Sequence, residues 1–325
     1  MFKSLKWIKQ HLVLSIIIGM IVGIVIGGLT DTSMLRGGVT LLSFLMVYPM
    51  MVTLNYKSLF EKGNNKLQIV TQLINFVYLP FLAFIFGIIF FSDNIYFRLG
   101  ILLIALLPTS GMTVSWTVMA KGNVKEAIRM IVIGLILGGL VTPFYIRFFL
   151  GESVSIPFTD ILRQILMIVF IPMLLGFITQ TLLKKRFGED TFKVRIKPIF
   201  PLFSTLAVVI LITIVMSLRA QMLINNPMLI IQILFPIIGG YVLMIISIHY
   251  IGKWLFDRAD RIALINGTMI RSLSVALAIA LAIFKEDGAE VALIIAVAYI
   301  VQVQLAAWYV KYNISLDEKE GSAKA

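Results

Sequence analysis

Apolar stretches long enough to cross a bilayer follow one another along nearly the whole chain, and polar positions gather between them in short groups. An apolar helix of roughly 18 or more residues covers a hydrocarbon core of about 30 Å. On that measure ten spans are predicted, near 11–29, 38–54, 67–91, 96–120, 126–149, 157–183, 198–218, 227–252, 261–284 and 288–312. A chain inside a bilayer must satisfy its own backbone hydrogen bonds, so such runs read as helices. The first of them, after MFKSLKWIKQH, resembles a signal peptide, but it is long enough to span and no small-residue cleavage site follows a short apolar region. The pattern predicts an all-α integral membrane protein without a soluble domain.

Positive charge supports the span count. Lysines and arginines concentrate before span 1, in the second, fourth, sixth and eighth loops and after span 10. Arg36, Arg98, Arg147, Arg163, Arg219 and Lys285 are spread over the alternate loops or their margins. Because Lys and Arg are retained on the cytoplasmic side, both termini are expected in the cytoplasm and the chain in the plasma (inner) membrane. The net charge of +12 then reflects topology, and nucleic acid is not expected as a partner. An even number of spans divides as five plus five, residues 1–152 and 153–325. The second half enters the membrane inverted relative to the first, the plan of many secondary transporters.

Two spans are interrupted at matching places. Span 4 holds Pro108, Thr109, Ser110, Gly111 and Thr113 at its centre; span 9 holds Asn266, Gly267, Thr268, Arg271, Ser272 and Ser274. Proline removes a backbone donor and glycine loosens the chain, so Pro108, Gly111, Asn266 and Gly267 are the expected helix breaks. Broken helices survive in a bilayer only where protein or a wet cavity satisfies the freed groups. Matched interruptions in the two halves point to a substrate site near the midplane, with Thr109, Ser110, Thr113, Arg271, Ser272, Ser274 and Gln302 as candidate substrate contacts.

Arg271 is costly, at least ~2.5–3.5 kcal/mol at the centre of a span. The sixteen Asp and Glu residues all fall in loops or at span ends, so no acid stands at its depth. Two readings stay open: the guanidinium caps the C-terminal carbonyls of a broken half-helix, or it receives an anionic substrate. Gln302 and Gln304 lie two apart and face different ways, one toward a cavity and one toward a neighbouring helix. Asn75 either orients a cavity wall or bonds neighbouring helices, and the pairs Gly138–Gly139 and Gly239–Gly240 read as close helix packing.

Composition removes several chemistries. The chain is 60% hydrophobic and 14% charged, has no cysteine and only two histidines. Disulfides, thiolate metal sites and thiol nucleophiles are absent. The hydroxyls of the interrupted spans have no His or Asp beside them in sequence, so a membrane-embedded enzyme is a remote alternative. No resident cofactor is expected. Coupling to Na⁺, held by hydroxyls and unwound carbonyls, is one option; protons carried on the substrate are another, and transport without a coupling ion is the third.

Several segments carry a resemblance. LMVYPMMVTLNYKSL in span 2, NFVYLPFLAF in span 3, MTVSWTVMAKGN ending span 4, IPMLLGFITQTLLKKRFG in span 6 and SVALAIALAIF in span 9 are similar to the arsenite permease branch of the bile acid:sodium symporter superfamily. The resemblance implies two inverted five-helix repeats, arranged as a core and a panel domain, with spans 4 and 9 crossing at the substrate site. It also exposes departures. The branch's site cysteine falls on Thr109, its last-span glutamate on Gln302 and its paired asparagines on Arg271 and Ser272. Trivalent arsenic prefers soft thiolates, which a hydroxyl does not replace. The expected function is therefore a secondary transporter of a small polar or anionic solute, an arsenite-permease-like efflux carrier by resemblance. A Na⁺-coupled organic-anion symporter is the alternative.

Overall fold

A computed structural model describes residues 5, 7, 8, 10–151, 158–284 and 287–322, with the backbone alone at 150 and 316–322. The expected boundary between the halves at 152/153, and the lysines at 3, 6, 9, 285 and 324, lie outside the described residues. Among the described residues every regular element is helical. The helices are α1 (Leu12–Leu29), α2 (Arg36–Val52), α3 (Asn65–Phe90), α4 (Ile95–Leu106), α5 (Met112–Met119), α6 (Val124–Leu150) and α7 (Phe158–Phe187). They continue with α8 (Glu189–Leu218), α9 (Ala220–Asn225), α10 (Met228–Leu255), α11 (Arg258–Met269), α12 (Leu273–Ile283) and α13 (Gly288–Ser322).

Nine segments among the described residues are long and apolar enough to cross a membrane, counting Arg258–Ile283 as one. The predicted fourth span is the short pair α4 and α5. Two elements were not read from sequence. The sixth loop is already helical from Glu189, nine residues before the expected start of span 7, and the small helix α9 follows α8.

Proline explains most local irregularity. Three π turns, Ile74–Tyr78, Leu166–Phe170 and Phe192–Ile196, each end two residues before a proline: Pro80, Pro172 and Pro198. A proline ring clashes with the carbonyl four residues back and supplies no N–H for it. A wider turn makes room and leaves that carbonyl free. At Pro80 the freed carbonyl belongs to Phe76, and the Tyr145 hydroxyl of α6 donates to it. The same π turn buries Asn75 completely.

The helices form two groups. α1 and α2 pack with α7 and α8, while α3 to α6 pack with α10 to α13. Each group draws on both halves of the chain. Small residues permit the closest approaches. On α6, Gly134 and Gly138 lie against the break in span 4, where a Cβ would stand 2.9 Å from Thr109 Oγ1 and 3.0 Å from the Leu106 carbonyl. The expectation for Gly239–Gly240 is not met, since a Cβ at either would meet only the Phe86 ring, at 3.6–3.8 Å.

The ends of α3, α6 and α11 on one face are tied by a buried polar network. Asn64 caps α3 and donates to Asp260 Oδ2 at 2.6 Å; Asn123 caps α6 and donates to Asp260 Oδ1 at 2.7 Å. Glu126 accepts from Asn64 N, Gln68 and Arg129, the last an ion pair at 3.0 Å. Three helix N-termini are thus held by carboxylates and Asn caps, as the macrodipole favours. This network ties three helices of the second group together at that face.

Candidate functional site

α4 ends at Leu106 and α5 begins at Met112, so Pro108 and Gly111 lie within the break as expected. The second break is Ile270–Ser272, between α11 and α12. Asn266 and Gly267 are not break residues, because α11 runs through both. Gly267 instead admits a neighbour, since a Cβ there would collide with Met130. Its carbonyl accepts from Thr109 Oγ1 at 3.2 Å.

The two breaks cross and bond to each other. Ser110 N donates to the Ile270 carbonyl at 3.0 Å, and Ser272 N donates to the Leu107 carbonyl at 2.8 Å. Each unwound segment thereby satisfies backbone groups that the other exposes, as a buried break requires. Thr109 sits at the sharpest point with φ +57, a left-handed conformation that a β-branched residue adopts only under constraint.

The crossing sorts four half-helix ends by sign. The C-terminal ends of α4 and α11 meet on one side, the N-terminal ends of α5 and α12 on the other. A helix C-terminus carries about −0.5 charge and an N-terminus about +0.5. Arg271 lies on the C-terminal side. Its Nε donates to the Ile104 carbonyl at 3.0 Å, Nη2 to the Ala105 carbonyl, and Nη1 to the Thr268 carbonyl at 3.0 Å and to Asn75 Oδ1 at 2.5 Å. The residue is 2% exposed. The guanidinium thus caps the C-terminal carbonyls of the broken half-helices, and Arg271 also borders a separate, mostly apolar space with Ile104, Ala105 and Tyr241. Gln302 holds the backbone of the same residue, accepting from Arg271 N at 2.8 Å and donating to its carbonyl at 3.2 Å, while Tyr241 donates to Gln302 Oε1 at 2.9 Å.

On the N-terminal side is a cavity of about 320 Å³ between the two helix groups, largely apolar through Met50, Met112, Met119 and Val208, with hydroxyls at the crossing. Ser110, Gly111, Ser115 and Trp116 line it from the first broken span, Ser274 from the second, and Tyr299 from α13. The Ser274 and Tyr299 hydroxyls are 2.5 Å apart. Thr53 and Pro201 of the other helix group close the opposite wall. Thr53, Gly111, Ser115 and Pro201 also line a second space of about 540 Å³, so the two are continuous. This outer vestibule carries Lys57, Lys184, Lys193 and Lys197, against Glu61 and Glu189.

Of the seven expected contacts, the cavity gathers Ser110 and Ser274. Thr109, Thr113, Arg271, Ser272 and Gln302 are buried in the packing around the crossing and do not line it. Thr113 Oγ1 and Ser272 Oγ are buried without a protein partner. Tyr299, Ser115, Trp116 and the vestibule lysines were not singled out from sequence. For Tyr299 a signal existed, a hydroxyl one turn before Gln302 in an otherwise apolar span.

The family model of the sodium bile acid symporter family matches residues 40–226, more than half of the chain. The chain belongs to the sodium bile acid symporter family. It is 22% identical to an arsenical-resistance protein Acr3 of Alkaliphilus metalliredigens over 93% of this chain and 92% of that one. It is 32% identical to sodium/bile acid cotransporter 7-B of Xenopus laevis over 37% of this chain and 36% of the relative. A sodium/bile acid cotransporter 7 of Danio rerio is 27% identical over 55% and 53%. The chain is thus a membrane transporter of this family.

The family name implies Na⁺. In broken-helix carriers Na⁺ is coordinated by unwound carbonyls and half-helix C-terminal ends. Here the carbonyls of Ile104, Ala105 and Thr268 at those ends are bonded to the Arg271 guanidinium. The residues at this place do not fit a bound Na⁺.

Proposed function

We propose that this chain carries a small anionic solute by alternating access, with the cargo held where α5 and α12 begin. The observation behind this reading is the cavity formed by Ser110, Gly111, Ser274 and Tyr299, which opens into a vestibule carrying four lysines. Two helix N-termini favour an anion there, and the lysines raise its local concentration.

In this reading the chain crosses the membrane ten times, α4 with α5 and α11 with α12 each making one broken span. The halves are inverted repeats, α1, α2, α7 and α8 are the panel, and the other helices are the core. The lysine-rich face is cytoplasmic by the charge rule, so the state described takes up cargo from the cytoplasm. On the far face Arg219, at the end of panel helix α8, pairs with Glu290 of core helix α13 at 3.1 Å and keeps that side closed. Efflux is then the natural direction for a relative of an arsenical-resistance protein. The chain has no cysteine, so hydroxyls and backbone N–H groups bind its cargo, and oxyanions or small carboxylates suit them better than thiol-seeking arsenite.

The test has two stages. Thermal stabilisation of the purified protein by a panel of oxyanions and small carboxylates names the cargo, and counterflow in proteoliposomes measures its transport. Gly111→Leu fills the cavity, since even a Cβ at Gly111 reaches within 3.5 Å of the Met50 methyl. It is expected to abolish counterflow while leaving the unfolding temperature near that of the unmodified protein. Undiminished counterflow in this variant contradicts the site.

A further inference from the structure

We propose that Arg271 is a tethered cation: its guanidinium fills the position where a free monovalent cation would otherwise sit on the C-terminal ends of α4 and α11, so this chain needs no cation there. The inference rests on the crossing and is independent of which solute is carried.

Four guanidinium bonds go to the oxygens of Ile104, Ala105, Thr268 and Asn75, all of them neutral groups. A buried arginine ordinarily meets a carboxylate, whose opposite charge offsets its desolvation. Here the offset is distributed. Two helix C-termini, each about −0.5, together match one positive charge. Three of the four acceptors are last-turn carbonyls of these half-helices. The fourth, Asn75, is brought to the same point by the π turn before Pro80. Such a set of carbonyl oxygens around one charge is the chemistry that binds a hard monovalent cation. The arrangement is also fixed from behind, because Gln302 clamps both backbone groups of Arg271 and Tyr241 holds Gln302. Arginine supplies the charge permanently, whereas a bound ion comes and goes with the cycle.

The proposal makes an asymmetric prediction. The unmodified protein unfolds at the same temperature in NaCl, LiCl and choline chloride at matched ionic strength. Arg271→Ala opens the carbonyl cluster. Its unfolding temperature in choline chloride falls, and NaCl or methylguanidinium chloride restores at least half of the loss while choline does not. Arg271→Gln keeps amide donors for the carbonyls but removes the charge, so it also gains a response to Na⁺. Arg271→Lys keeps the charge and gains none. If Arg271→Ala yields no folded protein, the Gln and Lys variants carry the same comparison. Two results overturn the proposal: charge-removing variants that respond no more to Na⁺ and methylguanidinium than to choline, or an unmodified protein that gains as much from Na⁺ as they do. Counterflow of the anionic cargo is scored separately. Absence of counterflow in the unmodified protein, with the cation response present in the variants, counts against the cargo reading alone.

Discussion

Two arginines are buried among the described residues, and they are neutralised by different means. Arg129, 7% exposed, lies at the capped ends of α3, α6 and α11 beside Glu126, with Asn65 as a further acceptor. Arg271, 2% exposed, lies at the crossing with carbonyl and amide oxygens only. The first pair is local: one acid balances one base, and both belong to a network that staples three helix ends. The second balance is collective, built from the ends of two half-helices that come from opposite halves of the chain. A local pair locks a rigid body. A collective one depends on the two breaks staying crossed, so the charge of Arg271 is tied to the integrity of the crossing.

The largest expected difference comes from deleting one partner of each arginine. Glu126→Ala strands Arg129 and unties Asn64 and Gln68; it is expected to cost about 3–5 kcal/mol and to lower the unfolding temperature or yield sharply. Adding Arg129→Ala should recover much of that loss. At Arg271 the matching deletion is milder, because three other acceptors remain. Asn75→Ala is expected to cost about 1.5–3 kcal/mol in the same assay. Equal losses at the two sites would erase the distinction between local and collective balance.

The sequence made the frame of this comparison legible and left its content hidden. Spans follow from runs of apolar residues, and the matched breaks from Pro108, Gly111 and the polar cluster of span 9. The direction of each side chain at a break does not follow from periodicity, because periodicity stops there. Ser272 and Ser274 are two residues apart, yet one is packed away and the other lines the cavity. Gln302 reaches Arg271 across 31 residues, and Asn75 across 196, through geometry that only the crossing creates. Gly267 read as a break because glycine weakens helices in water. In a packed membrane bundle the same residue serves close approach. That Arg271 caps α4 follows from where the C-terminus of that helix lies in space.

A smaller effect is expected on the far face. Arg219 and Glu290 are partly exposed, and such pairs contribute about 1 kcal/mol or less. Arg219→Gln should leave stability nearly unchanged while shifting the carrier toward opening on that side. Reactivity of a single cysteine placed in the cavity, assayed from each face of oriented vesicles, measures that shift. The absence of native cysteines makes the assay clean.

The central claim is that the crossing holds its fixed cation on one side and its cargo on the other. Single cysteines at Ser274 and Ser272 test it most directly, using a membrane-impermeant thiol reagent with and without the stabilising anion. The account predicts that Ser274→Cys is labelled from the lysine-rich face and protected by the anion, while Ser272→Cys stays inert. Labelling of Ser272→Cys with Ser274→Cys inert, or labelling of Ser274→Cys that the anion does not slow, would contradict it.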